Sequence, residues 1–494
     1  MPSLSVLTER ATKERGGYYT PRAIAAHLVQ WAARKDTDLL LDPSCGDGRF
    51  IACHPKSIGV ERNPEAAREA KQQAPDATVH QGDFFEWADQ TTERFDCAAG
   101  NPPFIRYQTF NGAVRKRALS LCSRIGVSFS GLTTSWAPFL VVTASLLRRG
   151  GRMAFVVPAS IGHAPHAAPL MEYLVSNFDV VRIVPIRRKL FPHLSEDCWL
   201  LFAEGFGGVT RHITIAPTDR FQSTHIVTQS VESVPVEEWR SMWNRRLRPY
   251  LLSEVDRSIY QEIADLPDSV RLGDMASVGI GYVSGANEFF HLRPSEADRW
   301  RIPKDFLYPT VRNSRALPAR NLSDNTIREW YRSDKPILLL RIPKNKSVPR
   351  PVRNYLDSPQ GQEARRSYKC RNRKPWYSVP DVRVPGFFLT YMSGVAPSLV
   401  RNSAGATCTN ALHAVHLHND REERRLLESW NSTYVQLSCE LEGHALGGGM
   451  LKLEPGEAAR VVLPPSSALS RLAPTHLEDA LWTLRKWRHY DNRR

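Results

Sequence analysis

Leu39-Leu40-Leu41-Asp42-Pro43-Ser44-Cys45-Gly46-Asp47-Gly48-Arg49-Phe50 reads as a buried strand running straight into a glycine turn. The leucines form the strand, and Asp42 stands at its C-terminal end. Gly46 and Gly48 let the backbone turn tightly and come close to a ligand. The spacing is not the G-x-G-x-x-G of a pyrophosphate cradle, and no Gly-Lys-Ser/Thr follows as in a P-loop. An acid at this place suits a ligand that presents an amino acid, because a carboxylate can pair with its ammonium group.

Downstream the pattern repeats. Ser57-Ile58-Gly59-Val60 is a second strand ending in Glu61, an acid placed to accept both hydroxyls of a ribose. Asn63-Pro64 then opens an alanine-rich helix. Ala77-Thr78-Val79-His80 leads to Gln81-Gly82-Asp83-Phe84, where Asp83 can accept from an adenine amino group with Phe84 against the ring. A fourth apolar run, Phe95-Asp96-Cys97-Ala98-Ala99-Gly100, delivers Asn101-Pro102-Pro103-Phe104. An Asn amide and the carbonyl of the following Pro are two acceptors in one fixed relation. Together they can grip an exocyclic amino group by its two hydrogens while an aromatic ring stacks on the base.

Upstream, Thr20-Pro21 opens a helix, with Thr as N-cap and Pro at the first helical position. Ile24, Leu28, Trp31 and Ala32 continue it at helical spacing. From Tyr18 to about Phe206 short strands alternate with helices, which predicts an α/β fold with a doubly wound, mostly parallel sheet. An acid ending one strand is usually a cap or a solvated group. Four strands in order, each ending in a polar group at one sheet edge, are hard to obtain by accident.

These segments resemble the class I S-adenosylmethionine-dependent methyltransferases, and more narrowly the gamma class of adenine-N6 DNA methyltransferases, the TaqI-like group. The resemblance rests on Gly17-Tyr18-Tyr19-Thr20-Pro21, Asp42-Pro43-Ser44-Cys45-Gly46-Asp47-Gly48, Gly59-Val60-Glu61, Gly82-Asp83-Phe84 and Asn101-Pro102-Pro103-Phe104. It covers about the first two-fifths of the chain, and the order of the motifs is that of the gamma class. It implies S-adenosyl-L-methionine as cofactor, with Thr20 and Asp42 facing its methionine part, Glu61 its ribose, and Asp83 and Phe84 its adenine. Tyr19, Ser44, Cys45 and Gly46 complete the expected cofactor contacts, and Asn101 and Pro103 form the edge near the methyl group. Asn101, Pro102, Pro103 and Phe104 are then the catalytic set. Two departures stand out: Phe50 and Ser57 are too close for a full helix between the first two strands, and Phe104 replaces the Tyr of many relatives.

The basic stretch after Phe104 (Arg106, Arg115, Lys116, Arg117, Arg124) reads as irregular, followed by a helix from Trp136 to Leu147 and the strand Met153–Pro158. Val180–Val184 and Cys198–Phe202 read as a closing strand pair joined through Arg187-Arg188-Lys189-Leu190-Phe191-Pro192. In gamma-class relatives an aromatic in this connection packs on the other face of the flipped base, and Phe191 matches that position. Arg187, Arg188 and Lys189 are then expected near the DNA backbone, or in a solvated loop.

The chain has 494 residues, with 66 Lys and Arg against 51 Asp and Glu, a formal charge of +15. That excess favours an anionic partner such as double-stranded DNA. Eight scattered Cys without a C-x-x-C pair suggest neither disulfides nor a zinc site. With no long apolar run and no signal-peptide h-region, the expectation is a cytoplasmic protein without membrane association.

The expected organisation is a catalytic domain over 1–207, a linker over 208–245 and a mixed α+β target-recognition domain over 246–494. Segments such as Gly281–Phe290, Arg371–Tyr377 and Pro385–Phe388 mix cations and aromatics, although any one aromatic is more readily core than contact. Gly447-Gly448-Gly449 reads either as a close approach to phosphate or as a hairpin turn. The resulting expectation is a site-specific adenine-N6 methyltransferase, the modification enzyme of a restriction or phage-defence system. Its expected partners are a cognate endonuclease or other defence proteins. Alternatives are a cytosine-N4 enzyme, an RNA or protein-glutamine methyltransferase, and a non-catalytic specificity protein. A fused nuclease is not expected.

Overall fold

The computed structural model describes residues 19–490 apart from 193, 195, 223–230, 344–345, 447 and 470–473. Gly17, Tyr18 and Gly447 therefore lie outside the described residues. The chain divides into two compact units, Met1–Leu251 and Leu252–Arg494.

In the first unit the leucine run becomes β1 (Leu40–Asp42), buried throughout. It is flanked by β2 (Ser57–Glu61) on one side and β4 (Phe95–Gly100) on the other, both parallel to it. β3 (Thr78–Gln81) lies outside β2, and β5 (Leu147–Pro158) outside β4, again parallel. β7 (Cys198–Phe206) is inserted antiparallel between β5 and β6 (Phe178–Val184). With β8 (His212–Ile215) and β9 (Glu232–Pro235) the sheet order is β3-β2-β1-β4-β5-β7-β6-β8-β9. This is the expected doubly wound, mostly parallel α/β sheet. Since β1 to β4 run parallel, their C-terminal ends share one edge, and the order of strands reverses between β1 and β4.

The short connection after β1 holds only a single 3-10 turn, Ile51–Cys53, as the spacing requires. Three readings are corrected. The stretch after Phe104 is not irregular, because Gly112–Arg124 is a helix that buries Ala118, Leu121 and Cys122. β5 starts at Leu147 rather than Met153, so the preceding helix is shorter, Trp136–Ser145. Segment 208–245 is not a linker: it supplies β8, β9 and the helix Val236–Ser241 to the first unit.

The second unit is mixed α+β. A five-stranded sheet runs in the order Ala276–Ile280, Leu412–Leu417, Phe387–Thr390, Leu399–Asn402, Asn321–Leu322, beside smaller sheets of four and three strands. Phe289, Phe290, Phe387 and Phe388 are all buried, which places these aromatics in the core rather than on a contact surface. His444–Leu446 and Met450–Lys452 pair antiparallel, so Gly448 and Gly449, both at positive φ, form a hairpin turn.

Candidate active site

Asp42 and Asn101 meet where the strand order reverses. Asp42 is fully buried; its Oδ1 accepts the N–H of Ser44 at 3.0 Å, while its Oδ2 has no hydrogen-bond partner among the described residues. Burial pushes its carboxyl up to about 8, and Glu61 and Asp47 add to the rise. The close approach of β4 depends on Gly100, where a Cβ would lie 2.7 Å from Asp42 Oδ1.

The glycine turn is tied to the end of β2 by one carboxylate. Glu61 accepts the Gly46 N–H at 3.0 Å and, through its other oxygen, the Asn63 N–H at 2.6 Å. Gly46 has φ +54°, and the Tyr19 ring lies over it. Arg49 fixes that corner: it pairs with Asp47 at 2.7 Å, donates to the Thr20 carbonyl at 2.9 Å and covers the Tyr19 ring. Cys45 packs against Gly59, and burial, then the Asp42 charge, raises its thiol well above the ordinary range.

Thr20 is not the N-cap expected from sequence. The helix is Arg22–Ala32 with Pro21 at the cap position, whose carbonyl accepts from Ile24 and Ala25. The buried Thr20 hydroxyl instead accepts from Asn101 Nδ2 at 3.2 Å. That bond turns the amide nitrogen toward Thr20 and directs the amide oxygen the other way. Ser44 donates to the Asn101 carbonyl at 3.3 Å, joining the glycine turn to the same loop.

Ser135 was not singled out by the sequence. Preceding a helix, it reads as a cap, yet it makes no capping bond. Its buried hydroxyl donates to the Pro103 carbonyl and accepts the Ile105 N–H at 2.9 Å, while its own N–H donates to the Ile105 carbonyl at 3.1 Å. One side chain and one amide thus clamp the backbone on both sides of Phe104. The flanking Thr134 hydroxyl bonds His166 Nε2 at 2.9 Å, and burial lowers that imidazole to about 4, leaving it neutral near pH 7.

The outer residues are placed less directly. Asp83 caps the helix Phe84–Gln90 by accepting from Glu86 N at 3.2 Å. Phe84 is buried, with its ring stacked on Phe139 at 5.0 Å. Phe191 is 8% exposed in an apolar cluster, against which Phe104 packs as a partly buried member. Five of the cations in these stretches are engaged internally. Arg187 and Arg188 both pair with Asp219, Arg117 with Glu86 and Arg124 with Asp89, while Arg115 donates to the Gly131 carbonyl. Among the described residues no group of three or more His, Cys, Asp and Glu is arranged to hold a metal ion, and no helix is long and apolar enough to cross a membrane.

These residues fit a cofactor carrying an amino acid and a nucleoside. A buried carboxyl with one oxygen unbonded lies beside a tight glycine turn, and an acid one strand away ends β2.

Comparison with known proteins agrees along the chain. Residues 244–490 match a family described as the C-terminal domain of the type II methyltransferase M.Eco57I. Residues 53–191 match the Eco57I restriction-modification methylase, and 3–73 match N-6 DNA Methylase. The type II methyltransferase M.XamI of Xanthomonas campestris pv. amaranthicola is 22% identical over 91% of this chain and 85% of its own length. M.AccI of Acinetobacter calcoaceticus is 18% identical over 82% of this chain and 76% of its own. The type IIL restriction-modification enzyme MmeI, solved in complex with DNA, shares the fold with a TM-score of 0.54 at 12% identity, over 94% of this chain and 71% of that one. The chain spans 62% of the type IIG restriction endonuclease BpuSI, with a TM-score of 0.44 at 16% identity and 97% of this chain covered.

Proposed function

We propose, from the premise that the chain belongs to the family of the type II methyltransferase M.Eco57I, that it moves a methyl group from S-adenosylmethionine to the N6 amino group of adenine in double-stranded DNA. The match to N-6 DNA Methylase supports adenine over cytosine. The family supports a role as the modification enzyme of a restriction-modification system.

Asp42 would hold the ammonium of the cofactor, Glu61 its ribose hydroxyls, and the turn at Ser44–Gly46 its methionine part. Asp83 and Phe84 stand at the end of β3 for the adenine. Bound there, the cofactor supplies an electrophilic methyl on a sulfonium sulfur.

The protein's own task is to make a poor nucleophile available. The adenine amino lone pair is delocalised into its ring, and inside a duplex it is out of reach, so the base must be flipped out. The Asn101 amide oxygen and the Pro102 carbonyl accept its two hydrogens and favour a pyramidal nitrogen. Thr20 orients the amide, and Ser135 fixes the path of the loop. Alignment of nitrogen with the methyl group supplies much of the acceleration. Phe104 faces the base as positive charge develops on it, and Phe191 covers the other side. Once methylated, the amino nitrogen passes one of its two protons to water, so this assignment requires no general base.

The observation that carries this reading is the Asn101 amide held by Thr20 beside a buried Asp42 at one strand-order reversal. Asn101→Ala should lower the single-turnover methylation rate by more than about 100-fold, as for loss of one preorganised polar group. Cofactor affinity, measured by calorimetry, should stay within a few-fold. Full activity in Asn101→Ala contradicts the acceptor-pair mechanism.

A further inference from the structure

The net charge of +15 raises the question of which cations are available to a polyanion. Most of the obvious candidates are not. In the first unit Arg187, Arg117 and Arg124 are paired with Asp219, Glu86 and Asp89, and Arg115 is bonded to a backbone carbonyl. At the basic C-terminal end, Arg488 is fully buried on Glu440 and also donates to the Gly449 carbonyl. Those residues serve the fold.

One segment differs. Between residues 350 and 374 stand Arg350, Arg353, Arg365, Arg366, Lys369 and Arg371, with Arg373 and Lys374 beyond, against Asp357 and Glu363. The segment folds as three consecutive helices, Arg350–Leu356, Pro359–Arg366 and Tyr368–Arg371. Val352, Tyr355, Leu356, Ala364 and Cys370 bury one side in the core of the second unit. The cations are exposed, and no ion pair among the described residues engages the first six of them; Arg353 alone of the six donates a side-chain hydrogen bond, to the Val348 carbonyl at 3.4 Å. Tyr368 is 66% exposed, with the Arg371 guanidinium 5.3 Å and the Lys369 ammonium 6.0 Å from its ring centre.

The segment is also anchored. Arg373 turns inward and donates to the carbonyls of Ser284 at 2.6 Å and Val283 at 2.5 Å. Gly285, at φ +88°, admits the backbone so closely that a Cβ there would lie 2.7 Å from Lys369 Cβ. A face held this way loses little backbone freedom on binding, which keeps the cost of association low.

We propose that the exposed face of helices 350–371 is a backbone-tracking surface for duplex DNA: it grips phosphates, sets affinity and salt dependence, and does not read bases. This rests on the DNA-methyltransferase reading. The chemistry is the match of unpaired guanidinium and ammonium groups to a regular row of phosphates, with the Tyr368 hydroxyl as a further donor. Contacts of this kind position a protein on the duplex without carrying sequence information.

The test is duplex binding across a salt series with the full chain, comparing wild type with Arg365→Gln/Arg366→Gln/Lys369→Gln. All three sites are exposed, and circular dichroism and cofactor calorimetry report on folding. Loss of three phosphate contacts should reduce the slope of log affinity against log salt by about 2 to 3. The methylated sequence, read from exhaustively modified DNA, should be the same as for wild type. Tyr368→Leu should weaken binding with the slope unchanged. An unchanged slope in the triple variant overturns the assignment, as does a changed target sequence or preferential binding of single-stranded RNA. A wild-type protein that binds no duplex DNA at all would instead refute the methyltransferase reading on which the assignment rests.

Discussion

Asn101 can accept a hydrogen from an amino group only when its amide oxygen faces the base, and an unsupported amide can sit either way round. Thr20 accepts from Nδ2 at 3.2 Å, which leaves the amide oxygen on the other side of the group. The sequence marked both residues but read Thr20 as a helix cap, since a Thr before Pro has that pattern and nothing local shows that its hydroxyl reaches a residue 81 positions away. The two accounts of Thr20 separate experimentally. If it orients Asn101, Thr20→Val should lower the single-turnover rate about fivefold to tenfold, the loss of one hydrogen bond worth about 1 kcal/mol. Cofactor affinity should hold, and Thr20→Ser should restore the rate. A variant that binds cofactor poorly yet transfers normally at saturation would return Thr20 to the cofactor contacts alone. Ser135 escaped notice for the same reason: its partners, Pro103 and Ile105, are distant in sequence, and it occupies an ordinary cap position.

At the scale of the strand, β1 carries Asp42 to a place where water cannot solvate it. The apolar run that makes the strand is therefore also what raises its carboxyl to about 8. In the ligand-free fold this group stays protonated while the unfolded chain ionises, so its contribution to stability is full below the ordinary carboxylate range and is lost as pH rises through about 8. An ammonium placed against Asp42 favours the carboxylate, so cofactor binding near pH 7 should release about one proton. Calorimetry in buffers of different ionisation enthalpy measures that release, and Asp42→Asn should remove it. Equal binding enthalpies in all buffers would contradict the pairing. Elements with a clean apolar period were legible: β1, β2 and β4 and the short 3-10 turn all follow from spacing. Gly112–Arg124 was not, because its cations interrupt a narrow buried stripe of Ala118, Leu121 and Cys122. β8 and β9 were missed because four-residue strands carry too little alternation to stand out from a polar connection.

For the whole molecule, the sequence separated a catalytic half from a second half but drew the boundary from a fading period. The first compact unit continues through β8, β9 and the Val236–Ser241 helix to Leu251, whereas the expected catalytic domain stopped at 207. Net charge pointed to a polyanion without saying where it is met. Pairing answers that in part: Arg187, Arg188, Arg117 and Arg124 are neutralised by nearby acids, and the cations of helices 350–371 are not. Composition cannot show this, since an Arg held by Asp219 and an Arg in water count alike.

The proposed reaction is methylation of adenine at one DNA sequence. Long-read sequencing of DNA from a methylation-deficient bacterial host producing the protein tests it most directly. The expected result is N6-methyladenine at a single recurrent motif, absent when Asn101→Ala is produced instead. Unmodified DNA from cells containing folded, cofactor-binding protein would contradict it.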